Sequence, residues 1–124
     1  MAEEKRIRVA VIGAGNRSRG VVANLLRDSK GGVEIAAAYD PDAAVLKDTL
    51  GVWKAEGAIA CTSLDQAINA PGVEWVMVFS PNACHKEGIL AAFKAGKNVF
   101  SEKPLATTIE DCREIYEAHR ASGR

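Results

Sequence analysis

The feature that most constrains this chain is a glycine-rich turn that follows its first apolar run. Residues 7–12 are almost all apolar, and the turn over residues 13–20 reads GAGNRSRG. A continuous apolar run is typical of a strand buried on both faces of a parallel sheet. The glycines allow a tight turn that leaves backbone N–H groups free at the start of the next helix, where phosphate groups bind. The pattern therefore predicts a strand-turn-helix unit that binds the pyrophosphate of a dinucleotide.

Six residues of this turn are predicted to contact the cofactor: Gly13, Ala14, Gly15, Asn16, Arg17 and Ser18. In the G-x-G-x-x-G pattern, the first glycine makes the turn, the second lets the backbone approach the pyrophosphate, and the third packs the helix on the strand. Ser18 stands at the third glycine position and departs from the pattern, although serine is small enough for close packing. Arg17 and Arg19 could flank the phosphates, but two arginines in a loop are as often simply solvated.

Short apolar runs alternate with longer amphipathic stretches along the rest of the chain, which is the pattern of repeated β-α units. We predict five strands, over residues 7–12, 33–39, 58–61, 73–79 and 98–101. Five helices are predicted over residues 20–28, 41–50, 63 to about 70, 83–95 and 107 to about 122. This alternation predicts an α/β fold: a doubly wound, Rossmann-like parallel sheet with helices on both faces.

Capping signals set several of the predicted helix ends. The spacing of Ser63 and Gln66 is that of a capping box, and so is the spacing of Thr107 and Glu110. Gly51 is expected to close the second helix, and Gly96 is a natural C-terminal cap for the fourth. The last helix is expected to turn four side chains inward: Ile109, Cys112, Ile115 and Tyr116.

Asp40 follows the second predicted strand, 20 residues after Gly20. An acidic residue there accepts hydrogen bonds from the adenosine ribose hydroxyls and repels a 2′-phosphate, which favours NAD over NADP. Asp40 and Pro41 also fit a helix N-cap followed by a proline at the first helical position. Both roles can hold together.

The loop after the fourth strand lies at the same predicted edge of the sheet as the glycine turn. Ligands bind at the carboxyl ends of strands near the switch in strand order, here between the first and fourth strands. Four residues are therefore assigned to the nicotinamide half of the site: Ser80, Pro81, Asn82 and His85. Taken alone, His85 is more often structural. No further ligands lie at zinc-like spacing from Cys84 and His85, so no metal site is predicted.

Glu102, Lys103 and Pro104 end the fifth predicted strand. A lysine beside a nicotinamide could hold or protonate a substrate hydroxyl, or act as a base through a lowered pKa. An exposed lysine before a proline turn is the equally open alternative.

These segments together resemble the N-terminal domain of the Gfo/Idh/MocA family of NAD(P)-dependent oxidoreductases. The resemblance extends from Arg8 to about Gly123, and its most specific parts are residues 102–105 (EKPL) and 95–99 (AGKNV), with Pro81-Asn82-x-x-His85 in addition. It implies that Lys103 is the catalytic lysine near substrate and nicotinamide, that Glu102 belongs to the cofactor site, and that the Lys103–Pro104 bond is cis. It also implies hydride transfer to or from a sugar or polyol hydroxyl carbon.

The resemblance carries an expectation about domains. Family members continue with a sixth strand and a second α/β domain that supplies most of the substrate pocket and the catalytic histidine. We therefore expect residues 1–124 to form a single dinucleotide-binding domain, without the substrate domain, that binds NAD without turnover. Two alternatives stay open: part of an NAD-dependent glycoside hydrolase, which residues 16–20 (NRSRG) also resemble, and a self-associating module without catalysis.

Charge and cysteine usage bear on partners and location. The chain has 16 basic and 16 acidic residues with no run of five like charges, so a nucleic-acid partner is not predicted. Three cysteines without C-x-x-C spacing, no signal peptide and no apolar run of membrane-spanning length favour the cytoplasm. A fifth strand left at the sheet edge, with an apolar face left bare by the missing domain, predicts a homo-oligomer.

Overall fold

The computed structural model describes residues 5–81 and 84–124, which form a five-stranded parallel sheet and five α-helices. The strands are β1 (Ile7–Ile12), β2 (Val33–Tyr39), β3 (Ile59–Cys61), β4 (Trp75–Val78) and β5 (Asn98–Ser101). The helices are α1 (Asn16–Asp28), α2 (Ala43–Val52), α3 (Leu64–Ile68), α4 (His85–Lys94) and α5 (Ile109–Ser122). The strands occur in the order β3-β2-β1-β4-β5, so the predicted Rossmann-like fold is confirmed.

The switch in strand order falls at the carboxyl end of β1. That strand pairs with β2 on one side and β4 on the other, and Ile12 is in register with both Tyr39 and Val78. The chain segments that follow these three residues therefore leave the sheet side by side. This register brings the glycine turn, Asp40 and Ser80 to one end of the sheet.

Helices cover both faces of the sheet. Alternate residues of each strand point to opposite sides, so each strand packs against helices on both faces. On one face, Val9, Val11 and Met77 pack with residues of α1 and α2. On the other, Ala10 and Val76 pack with residues of α3, α4 and α5. The near-continuous apolar sequences of β1 and β4 follow from burial on both sides.

Three predicted helix starts are wrong by one to four residues. Helix α1 begins at Asn16 rather than Gly20, because Arg19 N already donates to Gly15 O and closes the first turn. Helix α2 begins at Ala43, because its N-cap is Asp42 and not Asp40. Thr108, not Thr107, caps α5 by accepting from Asp111 N at 3.1 Å.

Capping at the other helix ends is partly as predicted. Ser63 caps α3 by accepting from Gln66 N at 3.1 Å, as predicted, but the Gln66 side chain accepts from Thr62 N rather than from the backbone of Ser63. Gly96 has the positive φ of a C-terminal glycine, +76°, and its N–H donates to Phe93 O. Gly51 does not close α2, which continues to Val52.

The inward face of α5 is narrower than predicted. Ile115 is buried at 4% exposure and Cys112 is partly buried, whereas Ile109 and Tyr116 are 76% and 58% exposed. A helix turns about 100° per residue, so Ile109 and Tyr116 lie more than a quarter turn from Ile115. The helix packs through a stripe centred on Ile115, and both side chains fall outside it.

Across residues 5–81 and 84–124, the helices are all too short or too polar to cross a bilayer.

Candidate functional site

A cleft of about 560 Å³ opens at the carboxyl ends of β1, β2 and β4. Five residues predicted for the cofactor site line it: Gly13, Gly15, Asp40, Ser80 and Pro81. Asn82, which was also predicted for the cofactor site, lies outside the described residues. The walls also include residues that the motif analysis did not assign: Ile12, Tyr39, Pro41, Leu64, Phe79, Cys84, Glu87 and Gly88.

Gly13 is fixed by the close approach of two chain segments. Its φ is +93°, and a Cβ there would lie 2.7 Å from the carbonyl carbon of Phe79 and 2.8 Å from Ser80 N. The Gly13 N–H donates to Tyr39 O at 2.8 Å, and Phe79 N donates to Ile12 O at 2.7 Å. A residue with a side chain would collide with the backbone after β4. Glycine here lets the turn pass between the ends of β2 and β4.

Gly15 has a different reason to be glycine, because a Cβ there would meet no atom within 4 Å. It is the N-cap of α1, no side chain caps that terminus within the described residues, and the first turn holds no acidic residue. Side chains cap three of the other helices: Asp42 on α2, Ser63 on α3 and Thr108 on α5. The first N–H groups of a 13-residue helix therefore remain available to an external anion.

The departure at Ser18 is accommodated within the turn. Ser18 is 1% exposed, and its hydroxyl donates to Gly15 O at 2.8 Å. The side chain therefore packs in the place of the usual third glycine with its polar group satisfied. Asn16, the first residue of α1, is exposed at the mouth of the turn.

Asp40 joins the end of β2 to the glycine turn. Its Oδ2 accepts from Ala14 N and its Oδ1 accepts from Asp42 N, both at 2.8 Å. Each carboxylate oxygen can accept more than one hydrogen bond, so capacity remains for a ribose hydroxyl in the cleft. Asp40 thus has a structural role toward Ala14 that the sequence pattern did not indicate.

A buried network behind the turn was missed by sequence reasoning. Thr49 is fully buried, donates to Ala14 O at 2.6 Å, and accepts from Arg19 Nε at 2.6 Å. Trp53 Nε1 donates to Arg19 O at 3.2 Å. Arg19 is therefore directed toward α2. A threonine at helical spacing from buried Leu46 was the signal that could have revealed this network.

Arg17 and Glu102 meet although 85 positions separate them in the chain. Arg17 Nε donates to Glu102 Oε2, and the side chains are 70% and 17% exposed. This guanidinium lowers the pKa of the Glu102 carboxyl, and the carboxylate in turn raises the pKa of Arg17. Lys103 follows directly and is exposed, and neither it nor Glu102 lines the cleft.

His85 supports the turn that carries Lys103. It is 1% exposed, and its Nδ1 lies 2.7 Å from Pro104 O, which can only accept, so Nδ1 carries the proton. The Lys103–Pro104 peptide bond is cis, as expected. His85 does not itself line the cleft, so the structure separates it from Ser80 and Pro81.

The free polar groups of the cleft fit a dinucleotide. Ser80 Oγ is buried and has no hydrogen-bond partner among the described residues. Gly88 allows α4 to approach β4, because a Cβ there would already touch the Val78 side chain at 3.4 Å. An orphaned hydroxyl, the open space beside Gly15 and the uncapped helix terminus give a cofactor the donors and the room it needs.

A parallel sheet with its switch point beside a glycine turn, and an acidic residue after the second strand, defines a dinucleotide-binding α/β domain. Residues 7–124 match the Gfo/Idh/MocA family model, described as an oxidoreductase family with an NAD-binding Rossmann fold. The chain belongs to this family, and the match covers its NAD-binding domain.

Similar proteins act on cyclic polyols and sugars. Inositol 2-dehydrogenase 3 of Saccharopolyspora erythraea is 41% identical over 95% of this chain, and 1,5-anhydro-D-fructose reductase of Ensifer adhaerens is 36% identical over 91%. The crystal structure of Lactobacillus casei myo-inositol dehydrogenase with NAD(H) and myo-inositol matches 94% of the chain with a TM-score of 0.87 and 27% identity. The chain spans 34%, 29% and 34% of these three proteins, respectively.

Proposed function

We propose that this chain forms the NAD-binding part of an oxidoreductase that transfers hydride to or from a hydroxyl-bearing carbon of a sugar or polyol. The observation that carries the proposal is the N-terminus of α1, which no side chain of the described residues caps and whose N-cap residue, Gly15, lies on the cleft at the switch point. The polyol and sugar activities of the relatives support the substrate class. Residues 1–124 would act as a single cofactor domain, with the substrate pocket formed elsewhere, and would bind NAD without turnover.

Each predicted residue has a role in this proposal. The pyrophosphate is held by the turn residues Gly13, Ala14, Gly15, Asn16, Arg17 and Ser18. The nicotinamide half is assigned to Ser80, Pro81 and Asn82, while His85 acts from the start of α4 and Glu102 from the end of β5. Bound NAD supplies the hydride acceptor, and the Lys103 ammonium donates a hydrogen bond to the substrate hydroxyl.

Asp40 is proposed to favour NAD over NADP. Its carboxylate follows β2, and the Asp40 oxygens are fixed by Ala14 N and Asp42 N. A 2′-phosphate beside this fixed negative charge is repelled, whereas a ribose hydroxyl can donate to it.

Calorimetric titration with NAD and NADP tests this proposal. The wild-type chain should bind NAD, with NADP at least about tenfold weaker. Asp40→Asn should bring the two affinities closer together, because the amide keeps one oxygen acceptor without the charge. Asp48→Asn, on the exposed side of α2, removes the same charge and should leave the ratio unchanged. Equal binding of NAD and NADP by the wild-type chain would refute the role of Asp40.

Self-association through β5 is the second part of the proposal. In the described sheet β5 is an edge strand, and Phe100 on β5 and Trp75 on the neighbouring β4 are each 39% exposed. Unpaired strand edges next to apolar surface recruit a further strand or a partner. A second copy of this chain can supply both the strand and the apolar contact.

A further inference from the structure

Arg17 occupies a position where a cation is electrostatically unfavourable. It is the second residue of α1, near the positive end of the helix dipole, and the first turn has no acidic residue. Its ion-pair partner comes instead from beyond β5, where Glu102 is largely buried while Arg17 is largely exposed. The fold therefore uses a long-range contact to hold a positive charge beside the phosphate-binding turn.

The contact occupies only one edge of the guanidinium. Nε donates to Glu102, whereas the two Nη groups have no hydrogen-bond partner among residues 5–81 and 84–124. Because the guanidinium is planar, fixing Nε also fixes the direction of both Nη groups. Such a fork suits bidentate binding of a phosphate. The lowered pKa of Glu102 and the raised pKa of Arg17 keep the pair ionised at neutral pH.

We propose that Glu102 is a positioning residue for the cofactor pyrophosphate: it holds Arg17 by Nε so that the Nη groups face the phosphates bound at α1. The inference rests on the proposed NAD site and adds a role for Glu102 that does not require contact with the cofactor. It links the pyrophosphate turn to the segment that carries Lys103.

Glu102 has two opposing effects on a phosphate, and their balance can be measured. Its charge repels the phosphate, and because Glu102 is largely buried, water and salt screen this repulsion only in part. Its hydrogen bond to Nε removes the freedom of a long side chain before the ligand arrives, which lowers the ordering cost of binding. We expect the second effect to dominate, so that losing the acceptor weakens binding.

The test uses ADP and adenosine as probes in NMR titrations of the whole chain. ADP carries two phosphates but lacks the nicotinamide ribose, so direct contacts of Glu102 with that half make no contribution. Glu102→Ala should weaken ADP binding about fivefold and change adenosine binding by less than about twofold. Glu102→Gln keeps an oxygen that accepts from Nε, and it should bind ADP within about twofold of wild type.

A thermodynamic cycle separates positioning from charge. Arg17→Lys keeps the charge but loses the fork, and it should weaken ADP binding about fivefold. In that background Glu102→Ala should have no further effect, because the two residues act as one unit. Arg27, at the other end of α1, is as exposed as Arg17 and pairs with Asp28, so Arg27→Gln removes a comparable charge and should leave ADP binding unchanged.

Two results would overturn the inference and are distinct from failure of the proposed function. If Glu102→Ala and Glu102→Gln both tighten ADP binding, Glu102 acts through its charge alone. If the effects of Arg17→Lys and Glu102→Ala are additive, the residues do not act together. A wild-type chain that binds neither NAD nor ADP would refute the cofactor site itself and the positioning role with it.

Discussion

At the scale of single residues, the packing around the two glycines of the turn gives each of them a different physical reason to be glycine. Gly13 is required by the chain, because the backbone after β4 occupies the space of a side chain. Gly15 borders open space, so its lack of a side chain matters only to something outside the chain. The sequence motif assigns the first glycine to the turn and the second to the pyrophosphate, and the packing at each position agrees with that assignment.

Substituting the two glycines should therefore separate stability from binding. Gly13→Ala introduces a residue at φ +93° and a backbone clash, and should lower the free energy of unfolding by about 3 kcal/mol. Gly15→Ala should cost less than about 1 kcal/mol, since alanine is only a poorer N-cap. Its methyl group should nevertheless weaken NAD binding at least about tenfold by keeping the pyrophosphate from the backbone.

Urea denaturation and NAD titration of both variants check these expectations. The proposed site would be contradicted by a Gly15→Ala variant that binds NAD as tightly as the wild-type chain. A Gly13→Ala variant with wild-type stability would contradict the account of the turn.

At the scale of helices and strands, sequence reasoning succeeded where burial alone set the pattern. Strands β1 and β2 have the predicted bounds, because their apolar runs end where the chain leaves the sheet. Strand β5 also has the predicted bounds, although none of its residues is fully buried. Helix starts were less predictable, since several side chains near each start can serve as the cap. Asp40 and Asp42 are both suitable caps for α2, and tertiary bonding to Ala14 takes Asp40 away from that role. The contacts of Arg17 and Thr49 join distant segments, so local spacing could not reveal the partners.

The start of α5 offers a direct test, since sequence spacing favours Thr107 as the cap and the structure places Thr108 there. Thr108→Ala removes the acceptor for Asp111 N and should lower the free energy of unfolding by about 1 kcal/mol. Thr107→Ala, the matched control, should change it by less than about 0.5 kcal/mol. Urea denaturation of the two variants decides between them, and the opposite ranking would mean that the helix starts one residue earlier.

At the scale of the whole molecule, the sheet is protected unevenly. Helices cover both faces of the sheet at β1. On the α1 face near β5, however, three apolar side chains are partly exposed: Ile7, Trp75 and Phe100. Phe100 also lies 5.9 Å from Phe79, ring centre to ring centre, so this surface is continuous with the wall of the cleft. An association at β5 would therefore lie close to the cofactor.

Sedimentation velocity over a range of concentrations tests whether a second copy covers this surface. The wild-type chain should form dimers by several hundred micromolar, and Phe100→Lys should weaken them at least about tenfold, because a lysine at an edge strand opposes pairing. Val52→Lys is the matched control: Val52 is 56% exposed at the end of α2, away from β5, and its replacement should leave association unchanged.

A wild-type chain that stays monomeric throughout would refute self-association. If the Phe100→Lys dimer is as stable as the wild-type dimer, the interface does not lie at β5. Because NAD would bind beside Phe79, saturation with NAD should shift the dimerisation constant only if the interface lies at this edge.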